Sequence, residues 1–159
     1  MGAYVLVAFV IPVQAGLVFS RASWPLHITL VRFDTRETAE DVRVRLDGVL
    51  PAHLGFDVRI GPDAHFGRNG SVPVSLVEPE PALQQLHTAA LEVLGPQVHL
   101  PGAQHNRSNY RPHVTHAETR LLPGDQVRVR QAALVDLRPD NDPLLRRVVA
   151  VWETESGTE

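Results

Sequence analysis

The stretch WPLHITLVRF, Trp24 to Phe33, decides how the rest of this chain is read. It places His27 and Thr29 one residue apart inside an apolar run. Side chains alternate along a strand, so residues i and i+2 share a face. As a strand, the stretch turns His27 and Thr29 to one side. Leu26, Ile28 and Leu30 take the other side and anchor it in a core. Taken alone, His27 reads as an ordinary half-buried strand histidine, satisfied by backbone or water. A single His-x-Thr carries almost no information.

A second copy changes that reading. RASWPLHIT, Arg21 to Thr29, aligns with RSNYRPHVT, Arg107 to Thr115, at an offset of 86 residues from Arg21 to Arg107. Arg21 meets Arg107, Trp24 meets Tyr110, His27 meets His113, and Thr29 meets Thr115. The two copies, about half a chain apart, suggest two lobes related by a pseudo-twofold and facing across a cleft. Such a cleft holds two imidazoles and two hydroxyls. That set suits phosphodiester chemistry: one neutral imidazole takes a proton from the attacking oxygen, and the other, protonated, gives one to the leaving oxygen. Histidine serves both roles because its ordinary pKa lies near 6.5. The threonine hydroxyls can hold the non-bridging phosphate oxygens. No metal is needed to activate the water, and no cofactor is expected.

The paired motifs HIT (His27 to Thr29) and HVT (His113 to Thr115) resemble those of the 2H phosphoesterase superfamily, the relatives of bacterial 2′-5′ RNA ligase and of 2′,3′-cyclic nucleotide phosphodiesterases. The resemblance covers nearly the whole chain. It implies a bilobal fold and metal-free acid–base hydrolysis of 2′,3′-cyclic phosphates on nucleotides or RNA ends. It implies His27 as acid and His113 as base, roles that substrate orientation can exchange. The same four residues would serve a 2′-5′ linkage, a cyclic oligonucleotide, or reversible 2′-5′ ligation. A non-catalytic nucleotide-binding module is the reading from another class. His116 departs from the family pattern, which has an aliphatic residue there, and receives no role.

Other side chains near the motifs are candidates for binding. Arg107 and Arg111 before the second motif, and Arg21 before the first, could pair with phosphate or stand as solvated surface charge. Trp24 and Tyr110 could stack a base or pack at the rim. Phe66, beside His65 in a turn-rich loop, is a further stacking candidate. His99, His105, His113 and His116 cluster in sequence, but i and i+3 on a strand point apart, which disfavours a shared metal, and no His-Glu-x-x-His occurs. FGRNGS lacks the spacing and the lysine of a phosphate loop.

Bulk properties narrow the class. With 159 residues, 43% hydrophobic and 21% charged, the chain reads as one folded bilobal domain over 1–159. A net charge of −3 gives no basic stripe for long duplex nucleic acid. The expected partner is a nucleotide or short RNA end with a cyclic phosphate, met by a monomer. All fifteen basic residues are arginine, so lysine Schiff-base chemistry is excluded. No cysteine is present, which excludes disulfides and thiolate chemistry and suits the cytoplasm. Residues Ala3 to Phe19 are apolar, but no positive charge precedes them, and Pro12 and Gln14 interrupt them. They read as a buried strand, Tyr4 to Ile11, and not as a signal peptide or membrane span.

The remaining pattern predicts α+β, with helices outside two mostly antiparallel sheets. Strands are expected at Leu26 to Phe33, Phe56 to Ile60, Val72 to Val77, His113 to His116, Gln126 to Leu137 and Leu145 to Trp152. GPDAHFGRNGS reads as a turn-rich loop. One helix is expected from caps at Asp34 or Thr35 to the stop at Pro51, with Ala39, Val42, Leu46, Val49 and Leu50 at helical spacing. A second is expected over Pro81 to Leu94, ended by Gly95. The final TESGTE reads as a frayed tail.

Overall fold

The computed structural model describes residues 1–102 and 105–154. Past Thr154, the expected frayed tail lies outside them. The chain is α+β: the described residues form ten strands in antiparallel pairs, and two α-helices. The strands are β1 (Gly2–Phe9), β2 (Val18–Ser20), β3 (His27–Thr35), β4 (Phe56–Phe66), β5 (Val72–Val77), β6 (Val98–His99), β7 (His113–Thr115), β8 (Gln126–Val129), β9 (Gln131–Asp136) and β10 (Leu145–Glu153). The helices are α1 (Ala39–Asp47) and α2 (Pro81–Leu94).

The sheet order is β2-β10-β9-β1-β3-β7-β5-β4-β8, with β6 pairing the far end of β3. This corrects the expectation of two sheets. One hydrogen-bonded path runs throughout, but at β3–β7 it narrows to a single bridge, Ile28 opposite Val114. Nor are the two sides of that bridge successive halves of the chain. After β8, the strand β9 returns to pair with β1, and β10 adds on beyond it.

β1 is apolar along its whole length because it is covered on both faces. Tyr4, Leu6 and Ala8 join the large core beneath the helices. Val5, Val7 and Phe9 join a smaller apolar layer with Ala133, Val135 and Val148. Both helices contribute to the large core, through Val42 and Leu46 of α1 and Leu83, Leu86, Ala90, Leu91 and Leu94 of α2. Each fully buried valine or leucine among them contributes on the order of 1.5–3 kcal/mol of hydrophobic stabilisation. The helices thus occupy the face opposite His27 and Thr29.

Local chemistry sets the boundaries. β3 continues through Asp34 and Thr35, because β6 pairs with both. The cap of α1 is instead Thr38, whose hydroxyl accepts the Asp41 N–H at 3.1 Å. α2 has Pro81 in its first turn and ends at Gly95, whose φ of +67° favours glycine. β4 runs on to Phe66, through ground expected as loop, because β5 pairs along it as far as Phe66 opposite Val72. Gly61 and Pro62 sit in a register shift there, a place where a strand tolerates proline. The expected strand Gln126 to Leu137 is two strands: β8 pairs β4, whereas β9 pairs β1 and β10.

Candidate active site

The site is built on the Ile28–Val114 bridge. Partners in an antiparallel pair share a face, and successive residues alternate. Ile28 and Val114 are each 1% exposed and point into the large core. Continuing the register by one residue sets His27 across from Thr115, and Thr29 across from His113, on the opposite face. The local twofold of any antiparallel pair passes through this bridge, so it relates one motif to the other. A bulge follows the first motif: Val7 faces Thr29 while Leu6 faces Val31, leaving Leu30 extra. It lets Leu30 and Val31 both bury.

Both imidazoles are held alike. His27 Nδ1–H donates to Pro25 O at 2.8 Å, and His113 Nδ1–H donates to Arg111 O at 2.8 Å. A carbonyl only accepts, so each ring carries its proton on Nδ1 when neutral. That leaves Nε2 for chemistry. Neither Nε2 and neither threonine hydroxyl has a hydrogen-bond partner among the described residues. Burial pushes the pKa of His27 below its ordinary value; the Pro25 carbonyl opposes this, and His113 adds to the lowering. His113 is also lowered, first by burial, against the Arg111 carbonyl, with the Arg111 charge adding to the effect.

An aromatic ring flanks each imidazole. Trp24 lies 4.5 Å from His27, ring centre to ring centre, and Phe66 lies 4.5 Å from His113. The Arg111 guanidinium sits 4.6 Å above Phe66, and that of Arg146 sits 5.9 Å from Trp24. Phe9 reaches His27 edge-on at 6.2 Å.

Tyr110, the sequence counterpart of Trp24, is placed differently. Its ring stacks on buried His87 at 4.0 Å and 4°, and its hydroxyl donates to Thr29 O at 2.7 Å. Burial pushes the Tyr110 hydroxyl pKa up. His87 Nδ1–H donates to Leu30 O at 2.7 Å, and its Nε2 accepts the Arg107 N–H at 2.9 Å. One stacked pair therefore ties the backbone of the first motif to the segment entering the second. Arg107 takes part through its backbone, at a φ of +59°; its side chain is exposed.

Two cavities flank the motifs. One, of about 510 Å³, is lined by Thr29 and His113 together with Arg32, Phe66, Tyr110 and Arg111. The other, of about 530 Å³, is lined by His27 and Thr115 together with Arg21, Ser23, Trp24 and Glu118. Each joins one motif's histidine to the other motif's threonine, as the register dictates. His116 is anchored behind the second motif. Its Nε2 lies 3.0 Å from Ser75 Oγ and 3.7 Å from Asp63, which Arg120 clamps. Both contacts use the same nitrogen, and Ser75 is fully buried, so this is no serine–histidine–aspartate triad. His99 lies on β6, at the far end of β3 from the site. Among the described residues, no three histidine, aspartate or glutamate side chains converge as a metal site.

Sequence reading missed His87, Arg32 and Arg146. Only the apolar stripe of α2, with His87 beside Leu86, hinted at the first. Nothing in the sequence pointed to the arginines.

The fold has counterparts among solved structures. The fold resembles that of LigT of E. coli in complex with 3′-AMP, with a TM-score of 0.62 over 98% of this chain and 99% of that one, at 13% identity. TT0787 of Thermus thermophilus gives a TM-score of 0.59 at 18% identity, over 98% and 99%. A crystal structure described as a phosphoesterase gives 0.59 at 15% identity, over 96% and 98%. None of the curated proteins matches the chain in sequence. Residues 14–150, which include both motifs, match the 2′-5′ RNA ligase superfamily, and the chain therefore belongs to that family.

Proposed function

We propose that this protein is a metal-independent phosphoesterase that opens 2′,3′-cyclic phosphates of nucleotides or RNA ends by two-histidine acid–base catalysis. One observation carries the reading. The Ile28–Val114 register gathers two His-x-Thr motifs on one face, with both Nδ1 atoms committed to carbonyls and both Nε2 atoms without a partner among the described residues.

In the reaction, His113 Nε2 takes a proton from water, and the hydroxide attacks phosphorus. The bond to one ribose oxygen breaks, and His27 Nε2–H gives that oxygen its proton. The product is a phosphomonoester, and solvent returns the proton from one imidazole to the other. Arg111 supports this assignment, because its charge favours the neutral, basic form of His113. Thr29 and Thr115 hold the non-bridging oxygens. Trp24, Phe66 and Arg111 line the cleft beside the phosphate. Tyr110 and Arg107 act by positioning the motifs, Tyr110 through Thr29 O and Arg107 through His87. LigT is a relative by fold that has been solved with 3′-AMP, with ATP and with NADP+, which supports a nucleotide as the ligand class.

The two cavities favour a second reading of the same chemistry, a 2′-5′ linked or cyclic oligonucleotide with a group on each side of the phosphorus. One experiment separates the readings. The protein is incubated with EDTA and a panel of 2′,3′-cyclic nucleotides, 2′-5′ oligoadenylate and cyclic dinucleotides, and products are identified by mass. Turnover of the cyclic nucleotides supports the first reading. Turnover of only the diesters supports the second. Binding without turnover across the panel overturns both in favour of a binding module.

A further inference from the structure

The β2–β10 ladder pairs Arg146 with Phe19 and Leu145 with Ser20, and the Arg21 N–H continues it to Leu144 O at 3.0 Å. Residues at i and i+2 share a face. Arg21 and Arg146 are therefore diagonal neighbours on the face that carries Phe19. Trp24 packs there, 4.9 Å from Phe19 and 5.9 Å from the Arg146 guanidinium, and against His27. The face is thus continuous with the catalytic cleft. Arg21, Ser23, Trp24 and His27 line the cavity there together with Thr115 and Glu118.

Neither guanidinium is neutralised. Two arginines on the strands nearby do hold carboxylates: Arg32 holds Asp34 at 2.8 Å, and Arg147 holds Asp140 at 3.0 Å. Arg146 instead donates through Nη1 to the carbonyls of Leu137, Pro143 and Leu145, and its buried Nε has no acceptor among the described residues. Arg21 makes no side-chain ion pair among those residues, and its charge and that of Arg32 weigh on Arg146. Asp136 is the carboxylate that opposes them, from a position where its Oδ1 already accepts the Arg138 N–H. An exposed, unpaired Arg21 on the cavity next to the phosphodiester site, with the half-buried, unpaired Arg146 behind it against the Trp24 indole, calls for an anion.

The geometry points to a second phosphate subsite at Arg21 and Arg146, which takes a phosphomonoester carried by the part of the substrate lying on the His27 side. It rests on the phosphoesterase reading above and sharpens it: the preferred substrate has a terminal phosphate besides the one that is cleaved. Arg21 supplies the accessible contact. Arg146 and Trp24 fix the field and the wall behind it.

The test compares adenosine 2′,3′-cyclic phosphate with the same nucleotide carrying a 5′-phosphate. The expected kcat/KM favours the 5′-phosphorylated substrate by about tenfold or more, as one charge-assisted contact provides. Arg21→Gln collapses the ratio toward one. Arg147→Gln, a change on the opposite face of β10, leaves it as in the wild type. Equal kcat/KM for the two substrates, or a preference that survives Arg21→Gln, overturns the subsite. If neither is hydrolysed by the folded protein, the cyclic-phosphate reading fails, and calorimetric binding of the same two nucleotides then decides the subsite. A preference for the 5′-phosphate that Arg21→Gln removes keeps it, and no preference ends it.

Discussion

The two motifs are alike in sequence and unlike in setting. His27 begins β3, a nine-residue strand packed between β1 and β7. His113 begins β7, which is three residues long and leaves Thr115 exposed. Each imidazole leans on an aromatic ring at 4.5 Å. The first ring, Trp24, comes from three residues upstream. The second, Phe66, comes from β4, while Tyr110, the aligned partner of Trp24, turns inward onto His87. Equivalence in an aligned repeat fixes which backbone positions correspond. It does not fix which side chain fills the corresponding space, because the ring beside each imidazole is chosen by whatever strand packs there.

The sharpest way to break this comparison is to remove each imidazole. His27→Ala and His113→Ala should each lower kcat/KM by about 10²–10⁴-fold, and the double variant should lose far less than the product of the two. Steady-state kinetics on a cyclic nucleotide reads this. Full activity in either variant ends the acid–base pair.

Next comes the stacked pair that ties the motifs together. His87→Ala leaves Leu30 O and the Arg107 N–H unpartnered inside the fold. It should cost roughly 1–3 kcal/mol in urea unfolding, and Tyr110→Phe about 1 kcal/mol for the lost bond to Thr29 O. Both should lower kcat more than they raise KM. An unchanged kcat would mean that the pair stabilises the fold without placing the motifs.

The two rings should then separate. If bases stack on them, Trp24→Ala and Phe66→Ala each raise KM by an amount on the order of 1–3 kcal/mol, with different bases affected on the two sides. Identical changes for every substrate would make both rings simple packing.

The smallest effects are in pH. Both imidazoles titrate below the ordinary 6.5 in the folded chain, so the acid limb of kcat/KM should fall below that pH. Below pH 6.5 the unfolded chain binds more protons than the folded one. Stability is therefore full above that value and lost as pH falls toward the folded pKa values. Arg111→Gln removes a positive charge near His113, so the His113 pKa rises and the acid limb moves to higher pH. A limb that stays in place would remove Arg111 from the tuning of the base.

The α+β class, the extent of α2, and the gathering of His27, Thr29, His113 and Thr115 were legible in the sequence. Period-two alternation and an internal repeat are local patterns, and strand geometry converts them directly into a shared face. The caps of α1 were misplaced because Asp34 and Thr35, which have cap-type side chains, are held in β3 by pairing with β6, which lies far along the chain. The single continuous sheet, the return of β9 beside β1 with β10 beyond it, and the single bridge that brings the motifs together depend on pairings between residues distant in sequence. So do the inward turn of Tyr110 and the unpaired Arg146 against Trp24. Which strand a given strand pairs with is decided by burial and register over the whole domain, so only the tertiary structure could settle them.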